Sequence, residues 1–265
     1  MSAIDTLFAQ LRRSGRKALM PFVTAGDPDL EFTADVIREL IARGSSLCEL
    51  GIPYSDPIAD GPVIQASYTR TLDRKIKLAE ILEMLGRLTP QLAAPLVTMV
   101  SYAIVYRRGL AQYVALAKAS GVAGLIVPDL PVEEAGPLSE ICRREDVSLI
   151  QLITPTTPEA RALRIAERTT GFIYYVSVTG ITGERAELPP QLVEHVARLR
   201  QQTPLPVCIG FGISRPEHVR MLAPVADGLI VGSAIVRRIA EAASRPREQV
   251  LREIGDFVAE LLGAM

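Results

Sequence analysis

A glutamate stands inside an apolar run, Leu47-Cys48-Glu49-Leu50-Gly51, and the loop that follows carries Asp56 and Asp60 among Pro53, Pro57 and Pro62. With the two-residue period of a strand, Leu47 and Glu49 share one face. If that face lines a closed interior, Glu49 loses hydration, its charged form is disfavoured, and its pKa rises toward the range useful for proton transfer. The competing reading is an inward glutamate paired with a base. The apolar runs of the sequence supply no Lys or Arg for that pair, which leaves loop residues such as Arg185. The prolines stiffen the loop, so both aspartates are partly placed before a ligand arrives. On spacing alone, a turn-forming role is favoured for either one, because Asp-Pro and Asp-Gly are common turn dipeptides.

Two glycine turns form a second chemical signal, Ile209-Gly210-Phe211-Gly212-Ile213-Ser214 and Ile230-Val231-Gly232-Ser233-Ala234, each directly after an apolar run. Glycines there let backbone N–H groups approach an anion, and a helix starting at Ser233 adds positive potential from its first amides. The segment 177–190 is long and glycine-containing, with two Thr-Gly steps, then charge, then Pro-Pro, the composition of a lid over a ligand. One of Tyr174 and Tyr175 faces the interior if their run is a strand. His195 lies on a helical stripe and His218 in the helix after the first glycine turn, neither placed for triad chemistry. Cys48, Cys142 and Cys208 are odd in number and lack CxxC spacing, as expected of reduced core thiols rather than a metal site or disulfide.

These groups need a scaffold, and the pattern around them specifies one. Apolar runs at 18–23, 47–50, 96–101, 123–127, 148–153, 172–177, 206–209 and 228–231 alternate with amphipathic stretches such as Phe32, Val36, Ile37, Leu40 and Ile41, stopped by Gly44. Such alternation means βα units, and eight of them predict a single (β/α)8 TIM barrel over 1–265, whose strand C-termini carry the chemistry. Ile4, Leu7, Phe8 and Leu11 form an extra N-terminal helix that plugs the opposite end. The 265 residues, 48% of them hydrophobic, suffice for one such core. A formal net charge of −1 gives no field for nucleic acid or an anionic membrane, and no stretch approaches a membrane span. The expected setting is the cytoplasm and the expected ligand small.

The run Glu49-Leu50-Gly51-Ile52-Pro53-Tyr54-Ser55-Asp56-Pro57-Ile58-Ala59-Asp60-Gly61-Pro62 resembles the signature of the tryptophan synthase α chain family. Further matching segments are Pro21-Phe22-Val23-Thr24-Ala25-Gly26-Asp27-Pro28, Gly124-Leu125-Ile126-Val127-Pro128-Asp129-Leu130-Pro131, Gly180-Ile181-Thr182-Gly183, Gly210-Phe211-Gly212-Ile213 and the run from Ala226 to Val236. The resemblance implies that Glu49 and Asp60 are catalytic carboxylates, that Phe22 lines an indole pocket, that Tyr174 is the family's substrate-binding strand-six tyrosine, and that Thr182 on the lid orients Asp60. It further implies that Gly183, Phe211, Gly212, Gly232 and Ser233 hold a phosphate, and that Pro53, Asp56, Asp129 and Pro131 face a β subunit in an αββα heterotetramer. One segment departs. Where the family commonly has Met-Thr-Tyr-Tyr-Asn-Pro, this chain reads Met99-Val100-Ser101-Tyr102-Ala103-Ile104, so Ser101 replaces the first tyrosine.

The activity so implied is a lyase reaction without metal or organic cofactor, the retro-aldol cleavage of indole-3-glycerol phosphate to indole and glyceraldehyde 3-phosphate. A neutral Glu49 would manage the protons at indole C3 and the adjacent hydroxyl, and an anionic Asp60 would stabilise positive charge at the indole N–H. The alternatives are a non-catalytic phosphosugar-binding partner of the β subunit, and a phosphosugar isomerase or epimerase on the same barrel. The phosphate turns suit all three, whereas the Asp60 loop is needed for the lyase alone.

Overall fold

The computed structural model describes residues 2–57, 60–177 and 191–265. Within them nine parallel strands form one sheet: β1 Ala18–Thr24, β2 Cys48–Gly51, β3 Leu96–Met99, β4 Gly124–Ile126, β5 Ser148–Ile150, β6 Leu152–Ile153, β7 Ile173–Val176, β8 Val207–Gly210 and β9 Gly228–Val231. Their order is β5-β4-β3-β2-β1-β9-β8-β7-β6. The ends of that order are two pieces of one stave, broken at Gln151. Before the break the stave pairs with β4, after it with β7, and the Gln151 carbonyl accepts the Tyr174 N–H at 3.0 Å. The sheet is therefore closed into an eight-stave barrel with the helices outside, as the sequence predicts, but the single run expected at 148–153 is divided where pairing changes sides.

Strand alternation sorts the apolar side chains into two cores. Ala18, Met20 and Phe22 of β1, Val97 and Met99 of β3, Ile150 of β5, Phe172 and Tyr174 at β7, and Ile230 of β9 fill the barrel interior. The intervening Leu19, Val23, Leu50, Leu125, Leu149, Ile173, Ile209 and Leu229 pack outward against the helical layer. The Leu30–Ala42 helix shows the local logic. Asp29 caps its start through the Phe32 N–H at 2.8 Å, Phe32, Val36, Ile37 and Leu40 are buried, and Gly44 ends the turn at φ +106°.

The N-terminal helix, Ala3–Arg13, closes the bottom of the barrel. Ser2 and Asp5 cap it reciprocally at 3.1 and 2.9 Å, and the Ser2 hydroxyl pairs with the Ser148 hydroxyl at 3.0 Å. Ile4, Phe8 and Leu11 join the interior core, with the Phe8 and Phe172 ring centres 5.7 Å apart. Gly124 makes room for this plug, since a Cβ there would lie 2.8 Å from Ile4 Cδ1. At the opposite end, β3 stops at Met99, short of the expected 101, because Ser101 starts the helix Tyr102–Arg108 by accepting the Ala103 N–H at 3.2 Å. Among the described residues no helix is long and apolar enough to cross a membrane.

Candidate active site

Parallel pairing sets Phe22 of β1, Glu49 of β2 and Val97 of β3 side by side, and since Phe22 and Val97 point inward, so does Glu49. Its side chain is 1% exposed, and its Oε1 has no hydrogen-bond partner among the described residues. Burial first, and then the nearby charge of Asp60, push its pKa up to about 8. Asp60 arrives from the loop. Its carbonyl receives the Gln65 Nε2 at 2.7 Å, one turn into the following helix, and partial burial raises its carboxyl to about 6. Near pH 7 the pair is thus split, Glu49 mostly protonated and Asp60 mostly ionised.

The helix that fixes Asp60, Pro62–Asp73, begins with a proline at its first turn. It is pinned to the end of β1 by two contacts. Arg70 donates from Nε and Nη2 to both oxygens of the buried Asp27 at 2.8 and 2.6 Å, and the Thr24 and Ser67 hydroxyls meet at 2.6 Å. Of its buried residues, Ser67 and Thr71 pack against Thr24 and Gly26, while Ile64 and Tyr68 line the barrel mouth.

Two adjoining cavities open there and share Asp60, Met99 and Phe211. The first, about 450 Å³, is lined by Glu49, Phe22, Ile64, Tyr174 and Ile230 together with Gly212, Gly232 and Ser233. The second, about 630 Å³, is mainly apolar, with Ile52, Tyr68, Val100, Pro128 and Leu152. Phe211 and Gly212 take successive left-handed conformations, φ +69° and +77°, and the Phe211 carbonyl is held by the Ser177 hydroxyl at 2.5 Å. Gly232 caps the helix Ser233–Ala240 by accepting the Ile235 and Val236 N–H groups at 2.8 and 3.1 Å. The first amides, at Ser233 and Ala234, have no acceptor within the helix and lie at its positive end. An anion at this rim and a flat apolar ring against Phe22, Tyr174 and Phe211, which line the same cavity as Glu49 and Asp60, would bring the bond between them to the two carboxylates.

Residues 8–261 match the family model described as tryptophan synthase alpha chain. A tryptophan synthase alpha chain from Rhodopirellula baltica is 56% identical over 275 aligned positions, covering 100% of this chain and 99% of the relative. The chain belongs to the tryptophan synthase alpha chain family. Its fold agrees with solved members, among them tryptophan synthase subunit alpha from Legionella pneumophila, with a TM-score of 0.91 at 33% identity over 100% of this chain and 98% of that one. The tryptophan synthase α2β2 complex from Pyrococcus furiosus gives 0.86 at 40% identity, over 93% and 98%.

For this family member, the structure brings Glu49, Asp60, Phe22, Tyr174, Phe211, Gly212, Gly232 and Ser233 around one cavity. Tyr174, not Tyr175, is the inward tyrosine of β7. Thr182 and Gly183, like Arg185 and nearly all of the segment read as a lid, lie outside the described residues. The four residues read as facing a partner are placed unequally. Asp56 and Pro131 are exposed and Pro53 is buried within the chain. Asp129 is half-buried, its carboxylate taken by the Ser101 hydroxyl and the Tyr102 N–H, each at 2.7 Å. The divergent Ser101 therefore ties the loop after β3 to the loop after β4. Cys48, Cys142 and Cys208 are buried and free, and no group of metal-binding side chains occurs among the described residues. Tyr68 lines the mouth without having been singled out in the sequence. Its spacing of four from Ile64, after Pro62, was the available signal.

Proposed function

We propose that Glu49 and Asp60 cleave indole-3-glycerol phosphate to indole and glyceraldehyde 3-phosphate, the tryptophan synthase α reaction, as the α subunit of an assembly with a β subunit. The observation that carries the assignment is one buried and one half-buried carboxylate beside a single cavity, pushed to different pKa values, about 8 for Glu49 and about 6 for Asp60.

The bond that breaks joins indole C3 to the hydroxyl-bearing carbon of the side chain. A proton delivered to C3 turns the ring into a leaving group. The hydroxyl proton is given up as its oxygen becomes the aldehyde carbonyl, and the bonding pair returns to the ring. The protonated Glu49 donates to C3 and, once ionised, takes the hydroxyl proton. Asp60, ionised, stabilises the positive charge that develops at the indole N–H. One preorganised electrostatic contact of this kind contributes roughly 100- to 1,000-fold in rate. Protons and electrons balance without a metal, pyridoxal phosphate or a lysine Schiff base. The amides around Gly212, Gly232 and Ser233 hold the phosphate, and Phe22, Tyr174 and Phe211 flank the ring.

A β subunit is the fitting partner because the Pyrococcus furiosus relative is described as a mutually activated α2β2 complex. The exposed Asp56 and Pro131, beside the mouth, are the described contact candidates. Three buried, free thiols support a cytoplasmic site of action.

The test is indole release from indole-3-glycerol phosphate by the purified chain, with and without its cognate β subunit. Release that the β subunit accelerates supports the lyase reading, and no release in either case leaves the phosphosugar-binding regulator.

A further inference from the structure

One polar group at the barrel mouth has no place in that scheme. Tyr68 is 4% exposed and lines the cavity that also contains Asp60. A buried tyrosine hydroxyl ordinarily finds a polar partner, and Asp60 is a carboxylate on the same cavity.

Geometry narrows what that contact is. Tyr68 follows Ile64 by one turn on the buried face of the Pro62–Asp73 helix, whose first turn receives the Asp60 backbone through Gln65. Long helical side chains run back toward the helix N-terminus, which here is the end carrying Asp60. At its far end, the hydroxyl lies beside Gly51, where a Cβ would come within 2.7 Å of it. Gly51 ends β2, one step beyond Leu50 from Glu49. Asp60 and then Glu49 are the two charges that, after burial, hold the Tyr68 hydroxyl in its protonated form. It is a donor over the working pH range, and of the two carboxylates Asp60 is the one ionised there.

We propose that Tyr68 is a positioning residue for the cleavage reaction, its O–H donating to the Asp60 carboxylate so that the anion is fixed facing the indole N–H. The inference rests on the assignment of Asp60 above and deepens it. A donor to the charged form favours that form, so the contact also keeps Asp60 ionised while the substrate excludes water around it.

The experiment is the pH dependence of kcat for indole release by wild type, Tyr68→Phe and Asp60→Asn, each with the cognate β subunit. Tyr68→Phe keeps the ring and its packing, so a merely structural tyrosine leaves the profile in place. The expected result is a kcat about tenfold lower in Tyr68→Phe, with KM within about twofold, and an acidic limb moved up by about one pH unit, as loss of one donor to a carboxylate predicts. An unchanged acidic limb in Tyr68→Phe overturns the proposal, as does a loss confined to KM, which would make Tyr68 a substrate contact. Asp60→Asn separates the two levels. If it keeps wild-type turnover, the assignment of Asp60 fails first. If it loses turnover while Tyr68→Phe keeps the wild-type profile, Tyr68 alone is misassigned.

Discussion

At the scale of single residues, burial does most of the chemical preparation. Glu49 carries a pKa of about 8 in the fold against an ordinary 4.5, so the folded state keeps a proton that the unfolded chain releases. The sign follows directly: the contribution of Glu49 to stability is greatest below pH 4.5, declines as pH rises through the interval, and is lost above pH 8. Glu49→Gln removes that dependence. Relative to wild type it should therefore gain stability between pH 5 and pH 8.5, by a few kcal/mol at most given about 1.4 kcal/mol per pKa unit. Urea titrations at the two pH values check this, and parallel stability curves for the two proteins would refute it. Asp60 acts with the same sign over a narrower range. Turnover is expected to need Asp60 ionised and Glu49 protonated, giving a bell with limbs at about 6 and about 8. Gly51→Ala tests close packing at the same place, because its Cβ would press on the Tyr68 hydroxyl and the Phe22 ring. A loss of about 1 to 3 kcal/mol is expected from such overpacking, read by denaturant unfolding.

At the scale of elements, the site depends on how the Pro62–Asp73 helix is held. Asp27 is 1% exposed and accepts both Arg70 hydrogen bonds, so Asp27→Ala leaves a half-buried guanidinium without its main partner. Thermal unfolding should show a cost of roughly 2 kcal/mol, and KM for indole-3-glycerol phosphate should rise as Ile64 and Tyr68 loosen. Elements were also where the sequence was easiest and hardest to read. Apolar runs identified every stave, because a parallel strand buried on both faces has few polar interruptions. The boundaries slipped where a polar side chain took over the backbone, at Ser101, which starts a helix, and at Gln151, where pairing changes sides. The inward direction of Glu49 was legible from Leu47 in the same run. Asp60 was legible only through family resemblance, since Asp-Gly by itself reads as a turn. Tyr68 was legible only as a residue on the same helix face as Ile64, because only the closed barrel shows which cavity that face meets.

At the scale of the whole molecule, the two ends of the barrel do separate work. The N-terminal helix seals one end with Ile4, Phe8 and Leu11, while every described candidate site residue gathers at the other or on its loops. Phe8→Ala should cost about 3 to 5 kcal/mol of stability by leaving a cavity under the Phe172 ring, yet leave kcat of the folded fraction unchanged. A fall in kcat at full folding would mean that the ends are coupled. The central claim is that this barrel breaks a carbon–carbon bond with one neutral and one ionised carboxylate, and it meets its most direct test in Glu49→Gln. With the cognate β subunit present, indole release from indole-3-glycerol phosphate should fall at least 100-fold while the affinity for glycerol phosphate stays within about twofold of wild type. Indole release by Glu49→Gln within tenfold of wild type, at equal glycerol phosphate affinity, would contradict the account.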